Sequence, residues 1–84
     1  MKRYAASLLL LPDGSFLLSQ IIELNEEGSV ICYYPFESEL QSTIWLSGLV
    51  EICPLNGINH AYHLYPYDLT NKKSVDGTQR ILLQ

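Results

Sequence analysis

The sequence predicts a small all-β domain, a bent antiparallel sheet of about six strands, sandwich- or barrel-like. Three observations carry that expectation. Apolar runs of strand length alternate with turn residues over all 84 residues. Asp13-Gly14, Asn56-Gly57 and Asp76-Gly77 each supply the positive φ of a tight hairpin turn. The runs between them are rich in β-branched and aromatic residues, which suit a pleated, half-buried surface. The length fits a single domain spanning residues 1–84.

The chain is organised around residues 4–24. The first run, residues 4–11, is apolar on both faces over its second half and ends at Pro12-Asp13-Gly14. Proline cannot donate to a ladder, and Asp-Gly turns the chain back. In the run that follows, Phe16, Leu18, Ile22 and Leu24 share one face at period two, broken only by Gln20. Leu17, Ser19, Ile21 and Glu23 form the more polar face. A competing pattern is a short helix over residues 21–27 stopped by Gly28, but the β-branched pair Ile21-Ile22 favours a strand.

Asn25-Glu26-Glu27-Gly28 reads as a turn. Residues 29–36 read as the third strand of a meander, with Val30, Cys32, Tyr34 and Phe36 facing one way and Ile31 and Tyr33 the other. Pro35 ends this strand or puts it at an edge. After a polar break, residues 43–53 are rich in strand formers, and Gly48 within them signals a bulge. Residues 38–47 also fit a helix capped by Ser38, with Leu40 and Ile44 on one face, so the sequence leaves helix and strand open there. Pro54-Leu55-Asn56-Gly57 closes the segment, and residues 58–67 form the next strand. Pro66 and Asp68-Leu69-Thr70-Asn71 break it, and Arg80-Ile81-Leu82-Leu83 closes the sheet after Asp76-Gly77.

Composition narrows the function. Net charge is −4 with five Lys and Arg residues and no basic cluster, which argues against nucleic-acid binding. At 48% hydrophobic and 17% charged, the chain has few charges to cover its surface, so an apolar patch buried against a second copy or another protein is expected. Met1-Lys2-Arg3 and the apolar run after it imitate a signal peptide, but Pro12-Asp13-Gly14 breaks the run and no small-residue cleavage site follows. No run reaches the ~18 apolar residues of a membrane helix, so no membrane contact is expected. Cys32 and Cys53 lie in apolar segments and read as reduced core thiols of a cytoplasmic protein.

Few residues suggest chemistry. His60 and His63 are the sole histidines and the candidate metal ligands, with Cys53, Asp68 or a partner chain as the source of a further donor. In a strand, positions i and i+3 point to opposite faces, so the two would not chelate one ion. Glu37 and Glu39 would share a face, but nothing near them in sequence would raise the pKa of either. No phosphate-binding or nucleophile-elbow motif occurs. Tyr62, Tyr65 and Tyr67 cluster with His63, and with Trp45 they are the candidate contact residues of an interface. No catalytic residue and no cofactor is assigned.

One resemblance bears on function. Glu26-Glu27-Gly28-Ser29-Val30-Ile31, then Glu37-Ser38-Glu39 leading to Trp45-Leu46-Ser47-Gly48-Leu49-Val50, then Asn56-Gly57-Ile58-Asn59-His60-Ala61-Tyr62-His63-Leu64 follow one another in the order of a known pattern. They resemble the N-terminal β-domain of the amidohydrolase (metal-dependent hydrolase) superfamily, whose members place a His-x-His pair after such a strand. Here Asn59 and His63 match that motif while Ala61 stands at the other ligand position, so the pair is incomplete. The (β/α)₈ barrel that holds the remaining ligands needs upwards of ~200 residues. The resemblance therefore implies a stand-alone β-domain without the catalytic barrel. The expected function is a cytoplasmic, non-catalytic β module acting through protein contacts, as a homodimer. The alternatives are an accessory domain docking on a separate amidohydrolase-like chain, or a small metal-dependent hydrolase using His60 and His63.

Overall fold

The structure, a computed structural model, describes residues 1–37 and 42–84. Six strands follow in order: β1 (Lys2–Leu10), β2 (Phe16–Leu24), β3 (Val30–Pro35), β4 (Thr43–Leu55), β5 (Ile58–Asp68) and β6 (Lys73–Leu82). Among the described residues there is no helix, and so none long and apolar enough to cross a membrane. The strands form one sheet in the order β3-β2-β1-β4-β5-β6. It comprises two meanders, each opening outward from the centre, with β1 and β4 side by side between them. That central pair is parallel, from Arg3 opposite Thr43 to Leu10 opposite Glu51. All other pairs are antiparallel. The sheet is therefore mixed rather than wholly antiparallel as the hairpin signals suggested. It curls strongly, with Ser29 ahead of β3 bridging His60 in β5, but it does not close into a barrel.

Local chemistry explains the turns. Between β1 and β2, the Leu11 amide donates to the Ser15 carbonyl at 2.9 Å. Asp13 Oδ1 accepts from the Ser15 hydroxyl at 2.6 Å and the Ser15 amide at 2.9 Å. Asn25 does the same work before β3, its Oδ1 accepting from the amides of Glu27 and Ser29. Asn56 and Gly57 both have positive φ and join β4 to β5. Two expectations fail near the end of the chain. Pro66 does not break β5, which runs on to Asp68. Asp76-Gly77 is not a hairpin turn. It lies inside β6, at an irregularity where the pairing with β5 shifts between Tyr65 and Tyr67. Gly77 has the positive φ that the sequence signalled, and here it forms a bulge. The helix alternative is excluded for residues 43–47, which belong to β4, and 38–41 lie outside the described residues.

The core gathers Tyr4, Ala6 and Leu9 of β1, Ile22 and Leu24 of β2, Val50 and Ile52 of β4, Ala61 of β5 and Leu83. Neither thiol belongs to it: Cys32 is exposed and Cys53 half-buried, and both are free. The C-terminus closes one end. Leu83 donates its amide to Ala61, and the Tyr4 hydroxyl donates to the Gln84 carbonyl at 2.8 Å.

A kink crosses the sheet midway. Ala6 and Leu9 both reach the core although an uninterrupted pleat would send them to opposite faces. Opposite them in β2, Ser19 has φ 50, and in β4 the register slips beside Gly48, whose φ is 87. A methyl group on Gly48 would press into the carbonyl oxygen of Leu64. Gly57 also has positive φ but has open space around it. Gly48→Ala is therefore expected to cost ~3 kcal/mol or more, since backbone would have to move, against ~1 kcal/mol for Gly57→Ala, which meets the left-handed penalty alone. Urea melts of the two variants test the difference, and equal losses would contradict the close approach at Gly48.

Candidate functional site

The candidate contact residues do not form one patch. Residues directly opposite in a sheet share a face. Val50 opposes His63 and Ile52 opposes Ala61, so His63 lies on the core side of β5. Glu51 opposes Tyr62 and Cys53 opposes His60, so these lie on the other side. The two histidines diverge, as their spacing in a strand requires. His63 is engaged, with its Nε2–H donating to the Ser47 carbonyl beside the kink. Its ring stacks on Tyr65 at 6.0 Å between centroids. Tyr65 is exposed.

On the opposite side Tyr62 is covered. The Arg80 guanidinium lies 3.6 Å above its ring and donates from Nε to Glu51 Oε1 at 3.0 Å. Tyr67 is half-buried, and burial, then the charge of Glu51, raise its phenol pKa. The three tyrosines, close in sequence, are thus split between the faces, and Tyr65 is the one left open.

Trp45 stands apart from them. It lies opposite Ala5 across the parallel pair, is 57% exposed, and meets Phe36 edge-to-face at 4.8 Å. Phe36 is itself held by its amide, which donates to the Ser19 carbonyl at 2.8 Å. Together these rings wall a depression of ≈ 230 Å³ at the kink, floored by Ala5, Ala6, Ser7, Ser19 and Gln20. Consecutive residues of a regular strand cannot line one hollow. Ala5 with Ala6, and Ser19 with Gln20, do so here because the pleat is interrupted at Ser19. Gln20 was visible in the sequence as the one polar residue on an apolar face, but nothing there linked it to Trp45.

A second cluster was not anticipated. Glu23 Oε2 accepts from the Tyr34 hydroxyl at 2.5 Å and from Arg3 Nε at 3.3 Å, with Cys32 beside it. The Tyr34 bond, and secondarily Arg3, hold the Glu23 carboxyl below its usual range. Burial and then Glu23 push the Cys32 thiol up, so it is not an activated thiolate. The other candidate carboxylates are engaged or remote. Asp68 accepts from the Asn71 and Thr70 amides of its own turn, which lowers its pKa. Glu37 is exposed, and Glu39 lies outside the described residues.

Among the described residues, no group of three or more His, Cys, Asp or Glu side chains converges as a metal site would require. At the positions matching the amidohydrolase pattern, Asn59 is exposed, Ala61 is fully buried in the core and His63 is committed to Ser47. No protein-family model, curated protein or solved structure matches the chain at a significant level.

The Glu23 cluster makes a pH prediction. Its carboxyl pKa is lower folded than unfolded, so it adds stability above the unfolded value near 4.5 and loses it as pH falls through the folded value. Tyr34→Phe removes the main cause. At neutral pH the variant should lose ~1 kcal/mol, less than the ~1.5 kcal/mol at which hydrogen bonds to charged groups begin, because the site is partly solvated. The gap should close as pH falls below the folded value. Urea titrations of both proteins between pH 7 and pH 2 check this, and a gap independent of pH would contradict it.

Proposed function

We propose that this chain is a non-catalytic β module that works through protein contact, with two copies joined through their open apolar surface. The observation that carries the reading is the exposure of large apolar side chains on so small and lightly charged a chain. Leu18 is 73% exposed, and Ile31, Trp45, Leu55, Ile58 and Ile81 are each exposed by half or more. Such side chains in number, on a small domain short of charge, support burial against a second copy. The tip of the β4–β5 hairpin supports it further. The β1 ladder stops at Glu51, and β6 reaches back only to Ala61. The hairpin therefore projects past both neighbours, carrying Leu55 opposite Ile58. The two free thiols suit a reducing compartment such as the cytoplasm.

Light scattering and metal analysis on one sample test the reading. The expected result is a metal-free particle of twice the 9.5 kDa chain mass. A double variant, Leu55→Asp with Ile58→Asp, should weaken pairing by ~100-fold or more, from lost apolar burial and like-charge repulsion. A metal-bearing monomer would sink the proposal, and a dimer indifferent to that variant would move the contact away from the hairpin tip.

A further inference from the structure

We propose that the two copies join along the outer edge of β6, antiparallel to one another and with Ile81 on the two-fold axis, so that one sheet continues from copy to copy. This rests on the contact function proposed above and names the edge that carries it. The sheet has two edge strands, and one of them is guarded. β3 is six residues long, ends at Pro35, and has Ser29 at its start already bridged to His60. β6 is ten residues long and contains no buried residue and no proline. Its first half is closed to pairing by the bulge over residues 75–78, where the Thr78 hydroxyl accepts from the Val75 amide at 2.9 Å. Its second half is open. The Leu83 amide donates to Ala61, and bonding alternates along an antiparallel pair. Ile81 and Gln79 therefore also face β5, while Arg80 and Leu82 turn their N–H and C=O groups outward. Among the described residues no strand answers them. Ile81 is 54% exposed and Leu82 40%.

Symmetry, charge and apolar continuity fit a second copy of this chain to that edge. With Ile81 on the axis, Arg80 of each copy exchanges both backbone bonds with Leu82 of the other, and the two Ile81 side chains meet as a close non-bonded pair. With Arg80 on the axis, two guanidinium groups would oppose one another instead. In line with the end of β6 lies the turn over residues 25–28. A Cβ on Gly28 would stand 3.6 Å from the Leu83 carbonyl oxygen, and Ser29 bridges His60, three residues along β5 from His63, which pairs with Ile81. That turn carries Glu26 and Glu27, both exposed. The opposite end of β6 carries Lys73, which pairs with Asp68, five residues from His63, and Lys72 precedes it. Antiparallel pairing about Ile81 lays each end of one β6 beside the other end of its copy, so the long lysine side chains pass the two glutamates. A chain with only five Lys and Arg residues thus sets two of them against carboxylates at both ends of the contact. Five residues from His63 in the other direction is Ile58 of the hairpin tip. The β5–β6 turn of the second copy, with Leu69 38% exposed, arrives level with it, so the edge and the hairpin tip belong to one contact.

Disulfide trapping locates the axis. In a background of Cys32→Ser with Cys53→Ser, Ile81→Cys puts one thiol of each copy on the axis. A non-bonded antiparallel pair holds its Cα atoms ~4.5 Å apart, within disulfide reach. Mild oxidation with copper phenanthroline should then join the two chains almost completely on a non-reducing gel. Val75→Cys, exposed on the same strand but away from the axis, should stay monomeric on that gel. Ile81→Lys should weaken pairing ~100-fold in light scattering across a dilution series, from lost apolar contact and like charges meeting on the axis. Lys73→Glu should weaken it about tenfold, and adding Glu26→Lys with Glu27→Lys should restore it, a reversal that no loss of folding would give. A dimer in which Ile81→Cys cross-links no faster than Val75→Cys, or which Ile81→Lys leaves intact, would overturn the β6 edge and leave the contact function standing. So would a charge reversal that restores nothing. A monomer at every concentration would overturn both.

Discussion

The parallel pairing of β1 with β4 is the constraint on which the rest depends. Every other pair in the sheet joins neighbours in sequence, but this one cannot be made by a tight turn. It places β1 at the centre, with β2 on one side and β4 on the other, and so brings Tyr4, Ala6 and Leu9 between the core residues of both meanders. The registers also keep the return short. Pro35 is level with Ala6 through Gln20, and Thr43 is level with Arg3. The chain leaving β3 therefore has to travel back only about three residues, ~10 Å, while crossing about three strand spacings, ~14 Å, within reach of the intervening segment.

The kink follows from asking one small sheet to make a core by itself. A flat sheet of this size would leave one face bare, so it must curl, and curling a central strand requires the pleat to be interrupted. Ser19 in β2, Gly48 in β4 and Gly77 in β6 provide the interruptions. Gly48 is the most constrained of them, because the Leu64 carbonyl occupies the space of a side chain. The same interruption turns neighbouring residues toward one side and leaves the hollow beside Trp45. The core and the hollow thus have one origin.

Much of this was legible in the sequence, and the rest was not for identifiable reasons. Asp13-Gly14, Asn56-Gly57 and Gly48 announced two hairpins and a bulge because glycine and its partner residues act locally. Asp76-Gly77 gave the right backbone sign but the wrong element, since positive φ serves a bulge as well as a turn. The parallel pairing left no trace, because strand partners distant in sequence are chosen by the fold and not by local pattern. The tyrosines misled for a simpler reason. Tyr62 and Tyr65 are three residues apart, and alternation alone assigns them to opposite faces. Grouping them by proximity in the sequence overlooked a rule that the same reading applied correctly to His60 and His63.

The remaining polar groups bear on what kind of surface this is. Among the described residues, the carboxylates with shifted pKa values, Asp13, Glu23 and Asp68, are all shifted down. Each is held there by donors in its own turn or on an adjacent strand, which is what a structural carboxylate does. Acid–base work near neutral pH needs the opposite, a carboxyl raised by burial or by a like charge.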